Sequence, residues 1–185
     1  MRIRIDTRQQ AHKHDVKDAW FAAHNVEMVR QKIDFGDYTL DTDTPAVSVD
    51  TKRNINEIAQ NISAGHERLK REIMRAKDAG ARLVFLIENK EGYLTVGDLL
   101  PWINTECKRC KEYRTKNCDP TAKGVCMSDR HKSKRKPIQG VRLATAMHTM
   151  TQRYGVEWIF CKPEEAAQII YNILQIEEVT SEQHN

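Results

Sequence analysis

The sequence of 185 residues lacks the features that mark membrane, secreted and disordered proteins. No apolar run approaches the roughly 20 residues that a membrane-spanning helix needs, so we expect no membrane partner. The start, Met1-Arg2-Ile3-Arg4, is charged and strand-like, unlike a secretory signal. Hydrophobic residues make up 39% of the chain, which is too many for a disordered polymer. We therefore expect a cytoplasmic protein whose length suits a single domain.

The pattern of apolar residues predicts an α/β domain. Strand-like and helical stretches follow one another in mixed order, and no repeat is visible. This order predicts a three-layer fold, with a central mixed sheet flanked by helices. The predicted strands cover residues 2–6, 26–33, 37–40, 46–52, 83–87 and 156–161, and the predicted helices cover 15–24, 54–79 with a break at Gly65, 140–154 and 163–174.

One segment, residues 92–137, does not fit the alternation of strands and helices. It is polar and contains four cysteines, and a structureless connection of that length is unusual. We interpret it as an inserted metal-binding subdomain. The main domain would then consist of residues 1–91 and 138–176, followed by a polar, flexible tail at 177–185.

Three acids lie where predicted strands end or turn: Asp6, Asp37 and Asp50. Lys52 follows Asp50 by two places, and residues two apart in a strand point to the same face. Carboxylates in this arrangement can bind Mg²⁺, which would polarise a phosphodiester and acidify a water molecule. Lys52 could position that water or stabilise the developing charge. The alternative is that these residues have no catalytic role, because Asp and Lys are common at strand ends and Asp-x-Lys by itself is a weak pattern.

Several short motifs follow one another along the chain: Ile5-Asp6-Thr7-Arg8, Gly36-Asp37-Tyr38, Val49-Asp50-Thr51-Lys52, Ile62-Ser63-Ala64-Gly65, the apolar run 83–88 and the closing strand 156–161. Together they resemble the nuclease domain of the XPF family, which has Asp-x-Arg-Glu, Gly-Asp, Glu-Arg-Lys and a Ser-containing helix before Gly-Arg. The resemblance implies a restriction-endonuclease-like fold of the PD-(D/E)XK type. It also implies DNA cleavage that depends on Mg²⁺ or Mn²⁺, commonly at branched, flapped or nicked duplexes.

The resemblance assigns roles position by position. Asp37 and Asp50 would be the metal ligands, and Lys52 would be the catalytic lysine. Asp6 would be a further acid beside the metal, and Arg8 would bind substrate or organise the site. Weaker candidates on the flanking helix are Arg68, as a DNA contact, and Glu72.

The sequence also departs from the family pattern. Asp50 replaces the usual Glu, Thr51 the middle Arg, Gln9 the Glu after Arg8, Asn56 an Asp, and His66 the Arg after Gly65. We do not expect these 185 residues to include the helix-hairpin-helix module that often follows this domain. The substitutions at Thr51, Asn56 and His66 motivate an alternative, a catalytically inactive DNA-binding module of the same fold.

Four cysteines of the segment 92–137 predict a structural zinc site. Cys107 and Cys110 form a Cys-x-x-Cys pair, and Cys118 and Cys126 follow within the next 16 residues. Four thiolates suit a closed tetrahedral Zn²⁺ site, and the metal would supply folding energy that a polar segment lacks. An iron–sulfur cluster is the less favoured occupant of this site, and the remaining hypothesis is that the four cysteines are unrelated free thiols. His131 could substitute for one cysteine.

Strong net charge is absent from the chain as a whole but not from this segment. The chain carries 30 Lys+Arg and 26 Asp+Glu, a net charge of +4. Residues 107–136 have 11 basic and 3 acidic residues, a net of +8, which leaves 19 basic and 23 acidic elsewhere, a net of −4. A cationic patch of this kind can neutralise phosphates. Its densest part contains the predicted DNA contacts Lys132, Lys134, Arg135 and Lys136.

These observations lead to one principal hypothesis, a structure-selective, metal-dependent DNA endonuclease with a zinc-stabilised basic insert. DNA is the favoured partner of the insert, although a solvated loop, RNA or an acidic protein would fit the same charges. A zinc-dependent protein adaptor is a third reading of the chain. A homodimer or a partner protein is possible, and the sequence does not identify the contacting faces.

Overall fold

The computed structural model describes residues 1–8, 14–122, 126, 128 and 136–182. Its centre is a six-stranded sheet with the strand order β2-β1-β3-β4-β5-β6. The strand β3 is antiparallel to both of its neighbours, β1 and β4, and the other strand pairs are parallel. The strands are β1 (Arg2–Ile5), β2 (Glu27–Arg30), β3 (Tyr38–Leu40), β4 (Val47–Lys52), β5 (Arg82–Glu88) and β6 (Glu157–Cys161).

Helices cover both faces of the sheet. One face packs against α2, α3 and α6 through a core that includes Ile58, Ile73 and Phe85. The other face packs against α1 and α7 through a core that includes Phe21, Val84 and Ile170. The predicted α/β architecture with three layers and a mixed sheet is therefore confirmed. The helices are α1 (Asp15–Ala23), α2 (Ile55–Ser63), α3 (His66–Asp78), α4 (Thr105–Lys108), α5 (Lys111–Arg114), α6 (Gly140–Tyr154) and α7 (Ala166–Glu182).

The ends of several helices follow from local chemistry. Asn54 caps α2, because its side chain accepts a hydrogen bond from the backbone N–H of Glu57 at 2.9 Å. Gly155 ends α6 in the left-handed conformation that glycine adopts without a steric cost. The last helix continues to Glu182, beyond the end predicted at Leu174, since no glycine or proline interrupts residues 175–182. No helix in the described ranges is long and apolar enough to span a membrane.

The segment 92–137 is anchored to the main core at both ends. Leu99 and Trp102 are buried in the same cluster as α2, α3 and α6. The backbone N–H of Gly140 donates to the carbonyl of Trp102 at 2.8 Å, and a Cβ at Gly140 would lie only 1.8 Å from the Leu99 carbonyl oxygen. Between these anchors lie the short helices α4 and α5. The division of the chain into a main domain and an inserted subdomain remains a prediction.

Candidate active site

The sheet topology brings three acids together at one edge. Asp6 follows the end of β1, Asp37 precedes β3, and Asp50 lies near the end of β4. Because β3 runs antiparallel to both neighbours, its beginning lies beside the ends of β1 and β4. The backbone N–H of Asp37 donates to the carbonyl of Val49 at 2.8 Å, and that of Asp6 donates to the carbonyl of Asp37 at 3.0 Å. The three carboxylates therefore line one open pocket of about 430 Å³.

The backbone before Asp37 requires a glycine. Gly36 has a φ of 75°, in the left-handed region, and a Cβ at this position would lie 2.2 Å from the Ser48 hydroxyl. Any larger residue would be strained and would also displace β4. The Gly-Asp pair thus fixes how the chain enters β3, and with it the position of the Asp37 carboxylate.

Asp50 and Lys52 form a buried ion pair on one face of β4. The Lys52 ammonium donates to Oδ1 of Asp50 at 2.5 Å, and the two residues are 6% and 4% exposed. Burial raises the pKa of Asp50 to about 8; Lys52 opposes this rise, whereas Asp37 and Glu72 add to it. Burial acts to lower the pKa of Lys52, but the Asp50 carboxylate outweighs it and the pKa is raised. Lys52 is thus held as a cation beside carboxylates that repel one another.

Thr51 holds Asp37 from the opposite face of β4. Oδ2 of Asp37 accepts one hydrogen bond from the Thr51 backbone N–H at 2.9 Å and another from the Thr51 hydroxyl at 2.6 Å. The residue that replaces the family's arginine therefore orients one of the proposed metal ligands.

Arg8 is tied to Asp6 and lies at the edge of the pocket. Its Nε donates to Oδ2 of Asp6 at 2.7 Å, and its Nη2 donates to the carbonyl of Ile33 at 2.5 Å. The hydrogen bond that Arg8 donates to Asp6 raises the pKa of Arg8. More than half of the Arg8 side chain stays exposed, so its guanidinium organises Asp6 and still faces the pocket.

Two residues contribute more to the pocket than the sequence indicated. Glu72 on α3 accepts a hydrogen bond from the Gly36 backbone N–H at 3.0 Å, which places its carboxylate beside Asp50. His14 also lines the pocket, and its Nδ1 lies 3.1 Å from the Tyr38 hydroxyl. Burial and the charge of Lys17 lower the pKa of His14, so the imidazole is neutral near pH 7. No sequence spacing links either residue to the acids, because both reach the pocket through tertiary packing.

The carboxylates of the pocket are the chemical type of ligand that divalent cations prefer. Burial, and to a lesser extent the charges of Asp37 and Glu72, raise the pKa of Asp50, and a bound cation would counteract these effects. Hard oxygen donors of this kind suit Mg²⁺ or Mn²⁺. As positioned, no three His, Cys, Asp or Glu side chains within the described ranges are close enough to hold a metal ion. Asp37 and Asp50 are the residues that could bind one.

The predicted DNA contacts do not all lie at the active-site pocket. Arg68 lines the same pocket, exposed, with Nη2 at 3.4 Å from Oδ1 of Asn61. The ammonium of Lys136 donates to the backbone carbonyls of Asp119 and Ala122, at 2.9 and 3.3 Å, so it ties the basic segment to itself. The other predicted contacts, Lys132, Lys134 and Arg135, and the possible zinc ligand His131, lie outside the described residues.

The four cysteines of the segment surround one small cavity. Cys107, Cys110, Cys118 and Cys126 all line a space of about 20 Å³, roughly the volume that one water molecule occupies. Burial raises the pKa of Cys107, and the other three thiols contribute to the rise. The Gln139 amide donates to Sγ of Cys107 at 3.3 Å, and backbone hydrogen bonds from Tyr113 and Glu112 lower the pKa of Cys110.

Comparisons with known proteins identify relatives of this architecture. The sequence profile of the ERCC4 domain matches residues 5–173. The solved structure "XPF from Aeropyrum pernix, complex with DNA" aligns with a TM-score of 0.58 and 15% identity, over 97% of this chain and 66% of that one. "XPF from Aeropyrum pernix" aligns with a TM-score of 0.57 and 15% identity, over 95% and 61%. This chain thus spans less than two thirds of either structure. No curated protein matches the sequence.

Proposed function

Because the chain belongs to the ERCC4 domain family, we propose that it is a metal-dependent DNA endonuclease that hydrolyses phosphodiester bonds in branched, flapped or nicked duplexes. One observation carries the proposal: Asp37, Asp50 and Lys52 line a single open pocket at the edge of the sheet. The resemblance of that motif to the XPF nucleases supports DNA as the substrate. One of the aligned structures is described as a complex with DNA.

Each residue of the pocket has a distinct task in this mechanism. Asp37 and Asp50 would bind Mg²⁺ or Mn²⁺, which when bound neutralises phosphate charge and acidifies a water molecule. Lys52 would orient that water and stabilise the negative charge that develops on the phosphorus oxygens. Asp6 holds Arg8, whose exposed guanidinium can contact the phosphate on the substrate side.

A cleavage assay separates this proposal from an inactive DNA-binding module. Purified protein is incubated with labelled nicked, flapped and forked duplexes in Mn²⁺ or Mg²⁺. We expect cleavage that needs the metal, disappears in Asp50→Ala and Lys52→Ala, and persists in Asp78→Ala, whose carboxylate lies exposed at the end of α3. Tight binding of every duplex without any cleavage would favour the inactive module.

We also propose that the segment 92–137 binds structural Zn²⁺ through Cys107, Cys110, Cys118 and Cys126. The proposal is supported by the shared cavity of the four thiols and by the hydrogen bonds that Cys107 and Cys110 accept. Such hydrogen bonds orient metal-binding side chains in known sites. An iron–sulfur cluster would need the same ligands, so elemental analysis must distinguish the two occupants.

A further inference from the structure

A second, polar cleft lies between α2 and the segment 92–137. Its volume is about 540 Å³. One wall is formed by Asn56 and Gln60 on α2, and the other by residues of α4 and α5 and the turn between them. We propose that this cleft binds an unpaired DNA strand that continues from the active site. The inference rests on the proposed function for its substrate, and it adds the part of the substrate that this chain grips.

Hydrogen bonds between the two walls, and others within the second wall, hold the cleft in place. The Thr105 backbone N–H donates to Oδ1 of Asn56 at 3.3 Å, and the Asn56 amide donates to the Thr105 hydroxyl. The Asn104 amide donates to the carbonyl of Ile138 at 3.3 Å, and its Oδ1 accepts from the Glu106 N–H at 3.0 Å. Both asparagines are therefore occupied in building the cleft, and it is a preformed feature of the fold.

Other groups of the cleft remain available to a ligand. Gln60, Arg109 and Lys111 are exposed, and no ion pair or side-chain hydrogen bond engages them within the described residues. The Thr105 hydroxyl accepts a hydrogen bond and can still donate one. Two cations suit phosphates, and an amide with both a donor and an acceptor suits a base edge. The carboxylate of Glu106 leaves a net charge of +1 among the described lining residues.

The size and position of the cleft favour a single strand of DNA. Its volume is in the range of small-ligand sites, about 300–1,000 Å³, which admits a few unpaired nucleotides and excludes a duplex. A single helix separates it from the active site, since Arg53 and Glu57 line the active-site pocket and Asn56 and Gln60 line the cleft. A strand that leaves the active site across the first turns of α2 therefore enters the cleft. The described lining residues include no aromatic, so affinity would come from phosphate contacts and hydrogen bonds and not from stacking.

Binding measurements on paired probes test this inference. The probes are a fluorescent blunt duplex and the same duplex with a single-stranded arm, and Ca²⁺ replaces Mg²⁺ to prevent cleavage. We expect the wild-type chain to bind the armed probe more tightly. The double reversal Arg109→Glu with Lys111→Glu should lower affinity for the armed probe about tenfold and leave the blunt duplex unchanged. Two lost phosphate contacts should also reduce the slope of log affinity against log salt by about 1.4 on the armed probe.

Matched variants make the outcome decisive. Gln60→Leu keeps the size of the side chain without its amide and should weaken arm binding about threefold. Lys70→Glu with Lys77→Glu makes the same charge change on exposed positions of α3 outside the cleft, and should leave the preference for the arm intact. If wild type prefers the arm and the cleft reversal retains that preference, or if wild type shows no preference, the inference is wrong. A cleft that binds an acidic peptide instead of DNA would show no preference for the armed probe.

The experiment also separates failure of this inference from failure of the proposed function. If the wild-type chain binds and cuts nicked duplex but binds the two probes equally, the proposed nuclease function stands and the inference about the cleft is wrong. If the chain binds neither probe, both proposals are wrong. The variants should melt within a few degrees of wild type, because the substituted side chains are exposed and make no hydrogen bonds or ion pairs with the described residues.

Discussion

The carboxylate of Asp37 accepts two hydrogen bonds from Thr51, one from the backbone at 2.9 Å and one from the hydroxyl at 2.6 Å. The contact joins the beginning of β3 to the end of β4, and it orients a proposed metal ligand through a residue on the adjacent strand. Partners of this kind commonly change metal affinity by about 10–100-fold when they are removed.

Thr51 provides the first test. Thr51→Ala removes the hydroxyl donor but leaves the backbone donor, so we expect the Mg²⁺ concentration for half-maximal cleavage to rise about tenfold. Thr51→Ser retains a hydroxyl and should behave nearly as wild type. A metal titration of the cleavage rate compares the three proteins. Equal metal requirements for Ala and Ser would show that the hydroxyl bond does not position Asp37.

The contact between Asn56 and Thr105 should stabilise the docking of the segment 92–137 on α2. Asn56→Ala and Thr105→Val each remove part of the pair, and the double variant completes a cycle. We expect a coupling energy of about 1 kcal/mol from urea denaturation. Either single variant already removes the contact between the two side chains, so the double variant should cost less stability than the sum of the two single variants. Additive effects would mean that the contact between the Asn56 amide and the Thr105 hydroxyl contributes nothing to stability.

The stability of the metal-free protein should depend on the protonation of Asp50. Its pKa is raised to about 8 in the folded chain, above its ordinary value of 3.8, so the folded state binds the proton more tightly than the unfolded state. The free energy of unfolding should therefore fall as the pH rises from about 4 to about 8. Asp50→Asn cannot titrate and should show a shallower decline.

Thermal denaturation in a chelator across that pH range measures the effect. Asp78→Asn removes a carboxylate that is exposed on α3 and should keep the wild-type slope. Parallel curves for wild type and Asp50→Asn would contradict the expected link between Asp50 and stability.

Metal content tests the four cysteines. We expect freshly purified protein to contain about one equivalent of zinc, and Cys107→Ser to lose it together with several degrees of melting temperature. Cys161→Ala changes a buried thiol on β6, which does not line the cavity of the other four, and should retain the metal. Iron with visible absorbance would identify a cluster instead, and the absence of both metals would refute the site.

The sequence by itself determined the elements and the partners that lie close along the chain. Period-two and helical patterns predicted the layers, because burial of one face leaves a local repeat in the sequence. Spacing also predicted that Asp50 and Lys52 share a face of β4, and the structure places their charged atoms 2.5 Å apart. The contact between these two residues could be predicted from the sequence because they are only two positions apart.

Only the tertiary structure decided the contacts between distant segments. Thr51 and Asn56 are departures from the family motif in the sequence, whereas in the fold Thr51 holds Asp37 and Asn56 binds Thr105. The side chain of Glu72, on α3, accepts a hydrogen bond from the backbone of Gly36, which precedes β3. These pairs depend on strand order, on register and on the packing of helices against the sheet, and such relations leave no periodic trace in the sequence.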